Sequence, residues 1–186
     1  MTKDGQWVVT KVDGKIASVS TGYGGAARVL SGLACLPSAD IGEVSCTRLS
    51  LEELFDLSET VRWEDLYLTG SPYRKLVWKA MFDLTHGPSG ALPPRLVSYS
   101  GLAESIGKGS GVRNVAHAVG QNPVCVIIPC HLVIPKEALS RIRDLEEESG
   151  LFKWKTLYML DGGVDYGEYA LGAEWKRQLI RMHMNR

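Results

Sequence analysis

The sequence predicts an α+β protein: a small N-terminal α/β unit, a sheet with one or two covering helices, followed by a mostly helical domain. Three observations carry that expectation. Two β-prone runs, residues 8–12 and 15–19, flank Asp13-Gly14, residues that tolerate the positive φ of a two-residue hairpin turn. From Ser71 onward, apolar residues recur at helical rather than alternating spacing. The chain has 186 residues, 45% hydrophobic and 23% charged, enough for a packed core in one domain or in two small ones sharing a boundary.

In chain order, residues 24–34 suit a short helix, and Ser50 with Glu53 makes a capping-box pattern opening a helix through Leu54 and Leu57. A break near Thr69-Gly70 divides the chain into an N-terminal domain, 1–68, and a second domain, 69–186. Ser71-Pro72 then starts a helix, with Ser as N-cap and Pro at the first helical position. Tyr73, Leu76, Val77, Ala80, Met81 and Leu84 form its apolar face. Residues 86–94 are a Gly- and Pro-rich loop. Residues 102–106 end a short helix at Gly107, and Val112, Val115 and Val119 line a second helix that stops at Gly120. Two short helices joined by a Gly-containing turn resemble a helix-turn-helix. The apolar run 124–128 reads as a buried strand, with Cys125 in the core. Residues 135–150 read as a helix with Leu139, Ile142 and Leu145 on one face and an acidic far half, Asp144 and Glu146 to Glu148. A last helix spans about 172–184, with Trp175, Leu179 and Ile180 inward.

Charge and cysteine content narrow the function. Lys plus Arg number 21 and Asp plus Glu 21, so the chain does not coat nucleic acid or membrane by bulk charge. The balance is uneven, however. No acid lies between Ser105 and Lys136, where Lys108 and Arg113 stand, nor from Trp175 to the end, where Lys176, Arg177, Arg181 and Arg186 stand. No apolar run reaches membrane-span length. Residues 1–7 are polar and carry no visible signal peptide, and the four cysteines, Cys35, Cys46, Cys125 and Cys130, include no CxxC pair. The expectation is an intracellular protein with reduced thiols, no metal site and no cofactor.

The densest chemistry is Asn122-Pro-Val-Cys-Val-Ile-Ile-Pro-Cys130-His131. A free thiol is mostly protonated at neutral pH, with a pKa of roughly 8.5. A histidine in reach, directly or through water, converts it into a nucleophile. Neighbouring residues on a strand point to opposite faces, so His131 serves Cys130 only if the chain turns there. Pro129 permits that turn, and the Asn122 amide is suited to bracing it.

The pattern Asn-Pro-x-x-x-x-Ile-Pro-Cys-His-x-Val, behind a helix-turn-helix with Arg113 on its second helix, resembles the O6-alkylguanine-DNA alkyltransferase family. The likeness runs without gaps from Val97-Ser-Tyr-Ser-Gly-Leu-Ala to Val133. It extends to Gly70-Ser-Pro-Tyr-Arg-Lys-Leu-Val-Trp78 upstream and to Tyr169-Ala-Leu-Gly-Ala-Glu-Trp-Lys176 downstream. It implies a winged-helix-like DNA-binding domain and irreversible repair of duplex DNA containing O6-alkylguanine, acting as a monomer without a membrane. The second helix enters the minor groove, the lesion flips out, and the alkyl group moves from O6 of guanine, with O4 of thymine a further donor site, to the protein. By the same resemblance Cys130 is the alkyl acceptor, His131 the water-mediated base, Asn122 the turn organiser and Tyr99 the proton donor to guanine N3. Arg113 fills the gap left by the flipped base. Gly111, Val112, Asn114, Ala116 and Lys108 belong to the DNA face. Tyr169, Ala170 and Leu171 wall the pocket. The implied location is the nucleus of a eukaryote or the cytoplasm of a prokaryote.

Four positions depart from the family pattern. Leu132 stands where arginine is usual. Lys176 aligns with a family lysine, which puts His183 where the family has the glutamate behind the histidine. The connection from Cys130 to Tyr169 is long, as though a segment of about 135–164 were inserted. Leu171 replaces a frequent glycine, which disfavours bulky alkyl groups such as benzyl. The alternative function is a lesion sensor of the alkyltransferase-like type, which binds damage without transfer. A more remote one is a helix-turn-helix regulator indifferent to Cys130.

Overall fold

The computed structural model describes residues 7–22, 24–27, 42–87, 95–149 and 163–186. These form two compact units, Met1–Lys75 with Asn122–Ile128, and Leu76–Gln121 with Pro129–Arg186. The division falls inside a helix, later than the expected break at 68/69, and residues 122–128 join the first unit. No described helix is long and apolar enough to cross a membrane.

In the first unit, β1 (Trp7–Val12) and β2 (Lys15–Ser20) form the expected hairpin, with Val12 opposite Lys15. Asp13 and Gly14 both take positive φ, 50° and 75°, as a twisted two-residue turn requires. A third strand, β3 (Val44–Leu49), pairs antiparallel with the other side of β1. The sequence reading did not find this mostly exposed edge strand. Residues 24–27 are helical, and the rest of the helix expected over 24–34 lies outside the described residues. α1 (Leu51–Thr60) opens with the capping box: Glu53 N–H donates to Ser50 Oγ at 3.2 Å, and Ser50 N–H donates to Glu53 Oε2 at 2.7 Å. The helix buries Leu54 and Phe55.

Residues 124–128 are not a strand. They form a tight loop with isolated bridges, Val19 to Val124 and Cys125 to Ile128. Val126 sits at φ +73°, which a β-branched side chain adopts only under strain. Asn122 holds the loop at both ends. Its Oδ1 accepts from Val124 N–H at 3.0 Å, and its Nδ2 donates to the Ile128 carbonyl at 2.8 Å. An uninterrupted apolar run satisfied the pattern of a buried strand, but the amide and the left-handed residue turn it back on itself. Cys125 is half-buried rather than core, its thiol 3.2 Å from the Val19 carbonyl.

α2 (Pro72–Phe82) begins as expected, with Arg74 N–H donating to Ser71 Oγ at 3.3 Å. Its buried face differs. Leu76 is exposed, while Val77, Trp78, Met81 and Phe82 are buried. Trp78 Nε1 donates to the Ala118 carbonyl at 2.8 Å, so the indole's need for an acceptor rotates the face. The loop expected over 86–94 is described only to residue 87.

In the second unit, β4 (Val97–Ser98) leads directly into α3 (Tyr99–Ser105), whose N-cap Ser98 accepts from Gly101 N–H at 3.0 Å. Gly107, at φ +69°, turns the chain, and Gly109–Gly111 form one 3-10 turn before α4 (Val112–Gly120). α3 and α4 pack as a helix-turn-helix, with Leu102, Ala103, Val115, Ala118 and Val119 buried. Cys130–Leu132 form a 3-10 turn that leads into β5 (Val133–Ile134). β5 pairs parallel with β4, Val97 beside Val133 and Ser98 beside Ile134, so the start of α3 and the cysteine turn share one edge. α5 (Lys136–Ser149) and α6 (Ala173–Met184) complete the unit. Ile134, Ala138, Ile142, Val164, Tyr166 and Ile180 form one apolar cluster, with Leu139 packed against it. The side chains of Leu145 and of the acidic half of α5 beyond Asp144 lie outside the described residues.

Replacing Asn122 by Ala removes both hydrogen bonds that close the 122–128 loop. Unfolding in urea should show a loss of about 2 kcal/mol, the scale for stranding partly buried amide partners.

Candidate active site

Cys130 is 7% exposed and opens the 3-10 turn, which Leu132 N–H closes by donating to the Pro129 carbonyl at 2.9 Å. The turn that the sequence required after Pro129 is therefore present. It removes the strand geometry that would have set Cys130 and His131 on opposite faces. The Cys130 thiol stands 3.8 Å from the Tyr169 hydroxyl.

His131 is fully buried, and its Nε2 lies 2.6 Å from Nδ1 of His183 on α6. The two ring centres are 4.8 Å apart with planes 19° from parallel. A nitrogen contact of 2.6 Å plus the distance from each nitrogen to its own ring centre, a little over an ångström, accounts for that separation. The rings thus meet edge to edge in nearly one plane rather than face to face. That is the geometry of an N–H···N hydrogen bond. Burial holds His131 well below the ordinary imidazole value, and His183 and Lys176 push the same way. Burial likewise lowers His183 to about 4, with His86 and Arg186 adding to it. Both rings are neutral at pH 7.

Lys176 is fully buried on the same face of α6. Its ammonium donates to the Tyr166 carbonyl at 2.6 Å and lies 5.8 Å from the centre of the Tyr99 ring. Burial pulls its pKa down to about 8, while Cys130 and Asp165 favour the charged form. The influence between thiol and ammonium is mutual, so Lys176 favours the thiolate of Cys130. Tyr99, half-buried at the start of α3, has its pKa raised, first by burial and then by Cys130 and Glu168. Its phenol keeps its proton at neutral pH.

Cys130, His131, Tyr99 and Tyr169 are thus brought together in the second unit, and Asn122 belongs to the loop of the first. Tyr169 and Leu171 are half-buried and Ala170 is exposed in a turn closed by Gly172 N–H donating to the Tyr169 carbonyl at 2.8 Å. Gly172, at φ +94°, ends that turn and caps α6. On α4, Arg113 and Asn114 are exposed and Val112 and Ala116 half-buried. Gly111 is half-buried and Lys108 exposed in the turn before it. Two expectations need correction. Lys176 was counted in a basic surface but is interior. Trp175 was assigned to the core but is half-buried, the inward face being Lys176, Leu179, Ile180 and His183. Lys176 was also missed as a site residue. Its signal was the i, i+3, i+4, i+7 spacing it shares with those three.

Residues 72–153 match the family model described as 6-O-methylguanine DNA methyltransferase, DNA binding domain. That stretch, less than half of the chain, is thus similar to the DNA-binding domain of this family. A probable methylated-DNA–protein-cysteine methyltransferase of Acanthamoeba polyphaga mimivirus is 37% identical over 97 residues, 52% of this chain and 56% of that protein. The inducible methylated-DNA–protein-cysteine methyltransferase of Bacillus subtilis is 34% identical over 90 residues, 48% of this chain and 44% of that protein. The chain thus spans about half the length of these curated relatives. The crystal structure of Mycobacterium tuberculosis OGT in complex with DNA shares the fold. Its TM-score is 0.52 at 18% identity, covering 96% of this chain and 86% of that one.

The buried ammonium makes the fold's stability depend on pH. The folded value of Lys176, about 8, lies below its ordinary 10.5, so between these values the unfolded chain binds more protons. Stability should rise by about 2 kcal/mol from pH 8 to pH 10, the slope staying below its limit of ~1.4 kcal/mol per pH unit because the folded group is still partly protonated near pH 8. Denaturation midpoints across that range should show the rise in the native chain and a flat profile in Lys176→Met.

Proposed function

We propose that this protein repairs alkylated DNA directly, moving a methyl group from O6 of guanine in duplex DNA to Cys130 in a single irreversible turnover. The observation that carries the reading is a thiol beside a buried ammonium, a protonated phenol and the Tyr169 hydroxyl, followed directly in the same turn by a buried histidine that is paired with His183. The match to the methyltransferases' DNA-binding domain, and the relatives so named, point the same way.

The steps follow from the groups present. His131 takes the thiol proton, and the sulfur attacks the methyl carbon. The carbon–O6 bond breaks as the carbon–sulfur bond forms. Guanine is a poor leaving group as an anion, so Tyr99 gives a proton to N3 and the base departs neutral. The thioether on Cys130 has no route back to a thiol, so each molecule acts once. A guanine inside the duplex hides its O6, and extrusion costs a few kcal/mol. Arg113, exposed near the start of α4, enters the gap on this reading, with Asn114 and Lys108 exposed in the same acid-free stretch of sequence. Tyr169, Ala170 and Leu171 border the pocket, and Leu171 restricts it to small alkyl groups. O4-methylthymine presents the same alkyl ether and is a second substrate on this reading.

Incubation with duplex DNA containing O6-methylguanine should add one methyl mass to the Cys130 peptide, read by digestion and mass spectrometry. Cys130→Ser should abolish transfer with lesion binding intact. Arg113→Ala should slow transfer by at least about tenfold, equivalent to ~1.4 kcal/mol of lost stabilisation. Tight lesion binding by the native chain without loss of the methyl group from DNA would replace the transferase reading with that of a lesion sensor.

A further inference from the structure

The site holds an imidazole where the sequence likeness expects a carboxylate, and that difference has a consequence for the proton. His131 offers two ring nitrogens. One of them, Nε2, is engaged with Nδ1 of His183 at 2.6 Å, edge to edge. A single proton lies between these two nitrogens, and it belongs to one ring or the other. If His183 donates it, His131 carries its own proton on Nδ1 and cannot accept another there. If His131 donates it, Nδ1 of His131 is a basic lone pair. Only the second arrangement gives Cys130 a base.

We propose that His183 is a positioning residue that accepts the Nε2–H of His131 through its own Nδ1, as a neutral stand-in for a carboxylate, and so fixes the tautomer in which Nδ1 of His131 takes the Cys130 proton. The inference rests on the transferase reading above. It requires His183 to carry its proton on Nε2, and His183 is 8% exposed where His131 is fully buried. After Nδ1 of His131 gains the thiol proton, its Nε2 proton can pass to Nδ1 of His183, which then releases its Nε2 proton outward. One proton enters the pair from sulfur and one leaves it, and no charge accumulates on the buried ring.

The charged and titratable surroundings favour this neutral arrangement. His131 faces His183 and the Lys176 ammonium, and His183 faces His131, His86 and Arg186. These are all bases or cations, and they oppose a lasting positive charge on either ring. A carboxylate at position 183 would reverse that balance by stabilising the His131 imidazolium.

Two measurements on the full chain test the assignment. Nitrogen-15 chemical shifts of the histidine rings, without DNA, should show His131 protonated at Nε2 and His183 protonated at Nε2 with a bare Nδ1. His131 protonated at Nδ1 would overturn the proposal, whether or not the protein transfers a methyl group. Single-turnover methyl transfer should then be followed from pH 5 to 9 in four proteins. The native chain should hold its rate down to about pH 5. His183→Leu should lose about a hundredfold at every pH. His183→Asn, whose Oδ1 replaces Nδ1 as acceptor, should recover to within about tenfold of native. In His183→Glu the acid limb should move up by at least one pH unit, because His131 then holds its proton more tightly. Equal rates in His183→Leu and native protein, or an unmoved limb in His183→Glu, would also refute it. A native chain that transfers nothing refutes the transferase reading and leaves the tautomer measurement to decide the pair.

Discussion

A lysine ammonium with no exposed surface is the constraint around which the second unit is arranged. Moving such a group out of water costs several kcal/mol unless donors and charges are matched. Here the Tyr166 carbonyl takes one hydrogen bond, the Tyr99 ring offers its negative face, and Asp165 and Cys130 favour the charged form. These groups come from three segments. Tyr99 is delivered by the β4–β5 pairing, Cys130 by the 3-10 turn entering β5, and Tyr166 by the loop before α6. The apolar cluster then has a second task beyond burial. By packing Tyr166 against Ile134, Ala138, Ile142 and Ile180, it holds the carbonyl where Lys176 needs it.

The same constraint shapes the proton chemistry. A buried carboxylate behind His131 would add a charge to an interior that already carries an ammonium, and its desolvation would have to be met by further donors. An imidazole offers the lone pair without the charge. On the proposed mechanism the cost appears elsewhere: the transient imidazolium formed when Cys130 ionises, before its proton passes to His183, gains no carboxylate partner. Lys176 offsets part of that loss, because an ammonium held near sulfur lowers the free energy of the thiolate itself. The work of favouring the ion pair is thereby shifted from the base to the nucleophile.

Much of this was legible in the sequence because it is local. Asp13-Gly14, Ser50 with Glu53, Ser71-Pro72 and the glycines after α3 each act within a few residues, and each has the geometry its residue types dictate. The elements that were missed depend on distant partners. β3 has little alternation because it is an exposed edge strand, fixed by pairing with β1 some forty residues earlier in the chain. The run 124–128 satisfies the pattern of a strand, and only the two hydrogen bonds of Asn122 and the left-handed Val126 make it a loop. α2 is rotated from its expected phase because Trp78 seeks a carbonyl on α4. Lys176 was read as surface because charge outweighs periodicity in a one-dimensional reading. Its partners lie on segments that such a reading cannot bring together.

Placing Lys176 in the interior also changes what the chain's zero net charge means. Of the basic residues that meet no acid along the sequence, Lys108, Arg113, Lys136 and Arg186 are exposed and Arg177 and Arg181 half-buried, whereas Lys176 is interior. Affinity for a polyanion scales with the number of phosphates neutralised, each steepening the salt dependence by nearly one power. On the proposed reading, a limited set of accessible cations holds DNA by a small electrostatic term, and discrimination comes from whether an extruded base presents an alkyl group to Cys130. On the same reading, in which each molecule accepts one methyl group, weak attachment to undamaged DNA is an advantage, because it keeps the molecule from being sequestered before it finds a lesion.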